Sequence, residues 1–476
     1  MSHLDGYAPL LTGLPVARYV SVRQVVSQRG VAGGRILWWQ GAVVALILVS
    51  QMGAPYVGAA TMAAMTLWAW RNTRCALQAV TISVLVVFAN PALVGDQPLV
   101  PLLKWALLFV SLGSILADWK YQPGIRARWS ASFALFAVVA LFLALAVSGN
   151  RSLSLLKLGT FIVGAAVALL GVRDRRYPPD YWLNWFTTVY MVVLVLSAPL
   201  QFLPAGRYLN GSNFQGILLQ PQSYGVYVAP LTAYVTVALL VEPRKTWFLV
   251  AILPWAWYSL FASGCRTAVL AVGLSVVATI ASMVVFPRNA RSSSQRGTTI
   301  LTICFVGLLT LAVLATSAGS LAGAIDQFIK KRANEEPGSS RRAQVESLLS
   351  TIDENFITGV GFGLSPVGVE QATQREELTG LPIGAYTEQG FLPLAVLAQV
   401  GVIGAVPLVL FIATLAFPVA KHGAPALVAL FWTTLFVNFG EMIFFSTGGL
   451  GMYMWLLIAC CLAGSRADLG RRKPCN

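Results

Sequence analysis

The chain has 476 residues, of which 57% are hydrophobic and only 11% are charged. Soluble domains carry roughly 25% charged residues, so this composition excludes a water-soluble fold for most of the length. The net charge of +15 would suit a nucleic-acid-binding protein, but the basic residues form short clusters between apolar runs, a pattern typical of membrane orientation. We therefore expect contacts with membrane lipids and none with nucleic acid.

The apolar runs divide into segments that can cross a membrane. A bilayer core about 30 Å thick needs about 20 mainly apolar residues in a helix, and fourteen segments meet this rule, loosely at their edges. In chain order they are Ile36–Met52, Tyr56–Trp70, Ala76–Val94, Leu99–Ala117, Ser130–Val147, Leu153–Val172, Tyr181–Phe202, Gly225–Val241, Trp247–Ala262, Thr267–Phe286, Thr298–Thr316, Phe391–Phe417, Pro425–Phe439 and Gly448–Ala463. The sequence predicts an all-α integral membrane protein with about 12–14 transmembrane helices.

The charges between these segments predict how the chain is oriented. Alternate loops hold 22 of the 33 basic residues, whereas the other short loops and adjoining helix ends hold five. Because basic loops remain in the cytoplasm, both termini are expected there. The expected divisions are a cytoplasmic N-terminal segment 1–35, transmembrane helices 36–316 with an outer loop 203–224, an outer insertion 317–390, the last transmembrane helices 391–463 and a cytoplasmic tail 464–476.

The outer insertion is long and patterned. It holds ten acidic and six basic residues. Ala343–Ile352 places its apolar residues on one helical face, and a glycine-rich turn, Gly359–Gly363, follows it. Loops longer than about 15 residues are usually functional or disordered. We expect a partly helical cap on the outer face, before the last three spans.

Two outer features precede the insertion. The loop from Arg207 to Gly225 concentrates Asn, Gln, Gly and Tyr, and includes Gln222. Such side chains suit sugar or headgroup binding, although an ordinary interfacial loop would have the same composition. The second feature, Ser263–Ala268, holds Arg266 in a short turn between two apolar helices. Arginine is suited to bidentate phosphate recognition, and the alternative is a helix-end arginine whose side chain extends to the headgroups.

Two further features lie within the insertion. Arg341 and Arg342 open its amphipathic helix, where a helix N-terminus and two cations favour an anion, unless they form a solvated charge pair with nearby acids. Glu388 and Gln389 stand where the chain re-enters the membrane. A carboxylate there could act as a general base if burial raises its pKa, or it could simply stabilise the first turn of the next helix.

The order of these features along the chain is more specific than any one of them. The motifs are Gln220–Gly225, Ser263–Ala268, Arg341 with the turn Gly359–Gly363, and Glu388 followed by Gly401–Gly404. In this order the chain resembles the bacterial O-antigen ligase and surface-polysaccharide polymerase superfamily of GT-C-like integral membrane glycosyltransferases. The resemblance covers roughly Arg207 to Gly404, together with the pattern of spans.

This resemblance implies a glycosyltransferase of the bacterial inner membrane with its active site on the periplasmic side, which makes the outer insertion a periplasmic insertion. Its donor would be a glycan linked to undecaprenyl pyrophosphate. Its acceptor would be a second lipid-linked repeat unit or lipid A–core, and it could also bind a chain-length co-polymerase. The implied catalytic residues are Glu388 and Arg266, and the implied substrate-binding residues are Arg207, Gln222, Arg341, Arg342 and Gln389. Because the outer acids are scattered, we expect an inverting, metal-independent reaction without a cofactor.

One departure from the family pattern bears on the reaction. O-antigen ligases carry a histidine near the final re-entry, whereas this chain has only His3 and His422, both in expected cytoplasmic segments. The matching position holds Thr387, Glu388 and Gln389. This favours a polymerase over a ligase. The alternative from another class is a transporter or flippase of lipid-linked oligosaccharide, which would also need many helices but commonly places polar residues at mid-membrane.

Overall fold

The structure is a computed structural model that describes residues 38–52, 56–95, 97, 99–121, 128–207, 213–241, 247–286, 338–364, 373–375, 382–385 and 390–471. Its α-helices are, in chain order, α1 Trp38–Ser50, α2 Val57–Ala69, α3 Thr73–Val87, α4 Pro91–Val94, α5 Val100–Ala117, α6 Arg128–Ala146, α7 Arg151–Gly171, α8 Pro179–Ser197, α9 Pro221–Val241, α10 Trp247–Ala262, α11 Arg266–Val285, α12 Gly338–Asn355, α13 Leu392–His422, α14 Pro425–Gly440 and α15 Leu450–Arg471. Short 3-10 turns cover Trp119–Tyr121, Pro199–Phe202 and Pro204–Arg207.

The fold prediction is confirmed. Within the described residues, seven helices are long and apolar enough to cross a membrane, and six shorter ones are also apolar. These correspond to thirteen of the fourteen predicted segments; the remaining one, Thr298–Thr316, lies outside the described residues. The chain is a multi-pass membrane protein.

In its described residues, the insertion contains one long helix and a small hairpin. The helix α12 extends beyond the predicted stretch Ala343–Ile352 at both ends. Strands β1 Thr373–Arg375 and β2 Pro382–Ala385 pair in antiparallel fashion, with Thr373 opposite Ala385, and a register irregularity follows Gln374. The insertion is thus partly helical, as expected, and the hairpin is an element that the sequence did not predict.

Helix α15 lies at the centre of the bundle. From Leu450 to Leu462 every side chain is buried, and the helix packs against α3, α7, α8, α9, α13 and α14. A helix that is apolar on all sides is stable only when other helices surround it, or when lipid does. Peripheral helices instead present apolar side chains outward, among them Leu141 on α6, Leu274 on α11 and Val409 on α13.

One end of the bundle, which we call the basic end, is tied together by charged side chains. Arg176 donates hydrogen bonds to Asp174 and Asp118, and Asp118 accepts two more from Thr73. Burial disfavours the charged form of Asp118, but the bonds from Arg176 and Thr73 outweigh it and hold the pKa of this carboxyl below its ordinary value. The α2–α3, α5–α6 and α7–α8 connections therefore meet at this end, where Arg74 also stacks on Tyr181, 5.2 Å from the ring centroid.

The opposite end, which we call the loop end, gathers the connections α3–α5, α6–α7, α8–α9, α10–α11 and α14–α15. Asn90 joins the first and third of these: its Nδ2 donates to the carbonyls of Ala205 (2.8 Å) and Gly216 (2.9 Å). Phe214 N donates to Ala262 O, which joins the α8–α9 loop to the end of α10. Alternate connections thus share a face, as the charge count predicted.

Candidate active site

Arg266 opens α11 at the loop end, and the turn before it is closely packed. Gly264 has a φ of 65°, and a Cβ there would lie 2.9 Å from Oδ1 of Asn213. A Cβ at Gly225 would meet Cβ of Cys265 at 2.4 Å, so α9 also lies against this turn. Glycine is favoured at position 264 by the positive φ, and at position 225 because a larger residue would push the segment at Cys265 away. The Arg266 side chain is exposed, on a backbone held firmly by two other segments.

The α8–α9 loop brings two more predicted residues to the same end. Arg207 ends a 3-10 turn, is half-buried, and has an Nε that is buried without a hydrogen-bond partner in the described part of the chain. Gln222 lies in the first turn of α9 with its side chain exposed. The bond from Phe214 N to Ala262 O, 2.9 Å long, connects their loop to the segment before Arg266.

A carboxylate that the sequence analysis did not place in the site lies near Arg266. Helix α14 packs closely on α11, and a Cβ at Gly440 would lie 2.4 Å from Cγ2 of Thr267. Arg266 and Glu441 each stand one residue from this contact, so both occupy the same corner of the loop end. Glu441 is half-buried and follows the last residue of α14. Its position beyond an apolar run was the only available signal in the sequence.

The glycine turn Gly359–Gly363 contacts a different neighbour at each glycine. All three glycines have positive φ, and added Cβ atoms would lie 2.4 Å from the Gln399 carbonyl carbon, 2.7 Å from Cβ of Ser148 and 2.5 Å from Cδ of Lys157. The repeated Gly-x-Gly-x-Gly pattern therefore has a steric origin. It lets the turn lie against α13, the α6–α7 connection and α7 together.

Helix α13 is interrupted where the glycine turn meets it. Gly401 has φ 56° and ψ −168°, so the helical hydrogen bonds cannot continue through it. The segment after α12 replaces them: Val360 N donates to Ala398 O, and Val402 N donates to Phe356 O. Backbone groups at a break in a membrane helix are tolerated only when protein or water satisfies them. This unpredicted break thus joins α12 and α13 into one unit.

Helix α12 also docks through side chains. Leu348 and Ile352 are buried against Ala395 and Ala398 of α13, together with Met442 of the α14–α15 connection. Position 341 is two helical turns before Leu348 and on the same helical face, since seven residues are close to two turns. Arg341 and Arg342 therefore lie in the first turns of a helix that is docked at the loop end.

The remaining predicted site residues and the metal prediction are less constrained. Glu388 and Gln389 lie outside the described residues. Among the residues that are described, no group of three or more His, Cys, Asp or Glu side chains is placed to hold a metal ion. Metal independence stays a prediction, as do the roles of all seven site residues.

Comparison with known sequences gives the site its context. The sequence model of the family described as O-antigen ligase (Wzy_C) matches residues 247–409. The matched stretch runs from the start of α10 to Val409 inside α13, so it contains Arg266, α12, the glycine turn and the break at Gly401. A comparison with curated proteins finds no match. Residues 247–409 of this membrane protein therefore form a domain of the O-antigen ligase family.

Proposed function

We propose that the protein is a glycosyltransferase that acts on undecaprenyl-pyrophosphate-linked saccharides at the periplasmic face of the bacterial inner membrane. The proposed reaction polymerises the repeat units of a surface polysaccharide or O-antigen. The observation that carries the proposal is the position of Arg266. It is an exposed cation on a closely packed turn, inside the matched domain and at the end where the connecting loops gather.

The charges support the proposed orientation. Outside the insertion, the basic end carries Arg71, Arg74, Lys120, Arg128, Arg173, Arg175, Arg176, Lys421, Arg466 and Arg471, whereas the cations of the loop end are Lys104, Arg151, Lys157, Arg207 and Arg266. Both sets are counted over the described residues. With the more basic end in the cytoplasm, the loop end faces the periplasm. A glycan carried on undecaprenyl pyrophosphate is presented on that side.

The chemistry needs a stabilised leaving group and a base. In the proposed step a hydroxyl oxygen of the acceptor bonds to the anomeric carbon of the donor as the bond from that carbon to the phosphate oxygen breaks. The electron pair leaves with undecaprenyl pyrophosphate, where Arg266, Arg341 and assisting Arg207 or Arg342 would stabilise the developing charge. Glu388 would accept the hydroxyl proton. Attack opposite the leaving group inverts the anomeric configuration.

The choice between polymerase and ligase rests on histidine. His422 ends α13 beside Lys421, which places it at the basic end, and His3 lies outside the described residues. His422 is therefore at the opposite end from the proposed site, and Thr387, Glu388 and Gln389 stand in the sequence where the resemblance places the histidine of the family's ligases. We therefore place polymerisation ahead of ligation to lipid A–core, and both ahead of a transporter or flippase.

Complementation of a deletion strain by Arg266→Ala tests the proposal, with surface polysaccharide resolved by length on a gel. Loss of the ladder down to one repeat unit on the lipid core would support a polymerase. Loss of all attached glycan, with long chains accumulating on undecaprenyl pyrophosphate, would support a ligase. A normal ladder, with the variant at normal level in the membrane, would refute the proposed role of Arg266.

A matched control and a second assay complete this experiment. Arg175 is also exposed but lies at the basic end, so Arg175→Ala should retain the full ladder. The purified protein should lengthen extracted undecaprenyl-pyrophosphate-linked repeat units in detergent. A transporter would leave them unchanged there, yet would move them across the membrane of a sealed vesicle.

A further inference from the structure

The glycine turn is held by side chains of two helices, α13 and α7, and α7 lies outside the matched domain. Lys157 of α7 donates from Nζ to the carbonyl of Gly363 at 2.7 Å, and Ser154 of α7 donates from Oγ to the carbonyl of Phe362 at 2.9 Å. From α13, Oε1 of Gln399 accepts from Gly363 N at 2.9 Å. Both backbone groups of Gly363 are thus bound by side chains, one from each flanking helix. We call these three side chains the turn clamp.

Lys157 is the charged member of the turn clamp. Its bond to Gly363 O is short, as expected when the donor carries a charge, and such bonds are stronger than neutral ones. A lysine inside a predominantly apolar membrane helix is costly and usually has a role. The lysine stem also lies against Gly363, where a Cβ would approach its Cδ to 2.5 Å. The turn is therefore built to accept this lysine.

The glycine turn also sets the direction of α12. Gly359 N donates to Asn355 O at the end of α12, so the helix leads directly into the clamped segment. Position 341 lies about 21 Å from Asn355 at 1.5 Å per residue. Over that length a tilt of about 3° at the turn moves position 341 by about 1 Å. The apolar contacts of Leu348 and Ile352 are not directional and would permit such a tilt.

We propose that Lys157 is a positioning residue for the reaction: through the turn clamp it fixes α12, and hence Arg341, relative to Arg266 and the segment that leads into α13. This inference rests on the proposed glycosyltransferase function for its kinetic consequence, but not for its structural one. A misplacement of about 1 Å by a residue away from the chemistry can cost on the order of 100-fold in rate. Lys157 itself contacts no reacting atom in this account.

The test pairs kinetics with a distance measurement on the full-length protein. Spin labels at Gly149→Cys and Val345→Cys, both exposed positions, report the distance between the start of α7 and α12. Cys304 and Cys475 are replaced by serine, and the four described cysteines are buried and can remain. The kinetic substrate is undecaprenyl-pyrophosphate-linked repeat unit extracted from a strain that lacks the protein.

Lys157→Met should lower kcat on the order of 100-fold with little change in KM, and should broaden the distance distribution. Lys157→Arg, which keeps a charged donor, should retain most of the wild-type kcat and most of the narrow distance distribution. Lys104→Met is the matched control for the distance measurement, because Lys104 lies in the neighbouring helix α5. Its Nζ is 4.9 Å from the Trp105 ring centroid. The cavity that Lys104 lines is about 20 Å³ in volume and has room for one water molecule. That variant should keep the narrow distribution.

The remaining outcomes separate the two proposals. Unchanged kcat in Lys157→Met overturns the positioning role, as does a loss of kcat without a broader distribution, since the lysine would then act on the substrate directly. If no form of the protein, wild type included, lengthens the glycan, the proposed function fails. The distance data alone then decide whether Lys157 holds α12.

Discussion

The two ends of the bundle use different means to hold their connections. At the basic end Arg176 pairs with two carboxylates, and Asp174 is buried beneath it. At the loop end the connections lie against one another through glycines and backbone hydrogen bonds, and cations meet a carbonyl (Lys157) or a ring face (Lys104). Paired charges contribute stability without offering a binding surface. The loop end instead orders several short segments around exposed polar groups, as the site that we propose for a large anionic substrate requires.

The largest predicted effect concerns two carboxylates, the proposed base Glu388 and Glu441 beside Arg266. Glu388→Gln should lower kcat by roughly 10²–10⁴-fold, the usual contribution of a general base. Glu441→Gln should cost about tenfold or less, because we assign Glu441 to the corner beside Arg266 and not to proton transfer. Single-turnover rates with extracted lipid-linked repeat unit measure both.

Glu354, an exposed carboxylate near the end of α12, provides the matched control, and Glu354→Gln should behave as wild type. A larger loss in Glu441→Gln than in Glu388→Gln would transfer the role of base to Glu441. The loop end would then differ even more from the basic end, because its packed corner of α11 and α14 would also supply the base.

The next effect is on stability at the basic end. Arg176→Met leaves the buried carboxylate of Asp174 without its cation, which should cost about 3 kcal/mol. Thermal unfolding in detergent should show the loss, while transfer activity at 25 °C should persist. The double variant Asp174→Asn with Arg176→Met should recover part of the stability. Lost activity at an unchanged unfolding temperature would contradict the division between the two ends.

The smallest effect is a pH dependence at Asp118. Its pKa is lower in the folded state than in the unfolded state. The stabilisation is therefore complete above the unfolded value of about 3.9, and is lost as pH falls through the folded value. Asp118→Asn should cost less than about 1 kcal/mol at pH 7, and its unfolding temperature should converge with that of wild type as pH falls from about 3.9 through the folded value. A gap that stays constant over this range would refute the assignment.

Hydrophobic length was enough to predict most of the fold. Runs such as Ser130–Val147 and Thr267–Phe286 correspond closely to α6 and α11, because a bilayer dictates both the length and the composition of a span. The break at Gly401 was not predicted, although Gly401–Gly404 was noted as a motif. A helix interruption depends on a partner for the freed backbone groups, and that partner, Phe356–Gly361, is distant in sequence.

The candidate site was predicted only in part. Arg266 stood out because a short turn constrains it, and the structure gives that turn a tight packing environment. Lys157 and Glu441 were not selected, since each is a single charge beside an apolar run and only tertiary contacts show what it touches. Arg341 and Arg342 were placed on a helix that the structure contains, while the roles of these residues stay predictions.

The central position of α15 has a consequence for biogenesis. Every helix that it contacts is translated before it. While the ribosome is still making the chain, these six helices must therefore remain in the membrane with their inward faces covered by lipid or by the insertion machinery. They are α3, α7, α8, α9, α13 and α14. The bundle closes only when α15, with its buried apolar stretch Leu450–Leu462, enters from the side. A chain that stalls before Leu450 would leave an inserted but open assembly for quality-control proteases to remove.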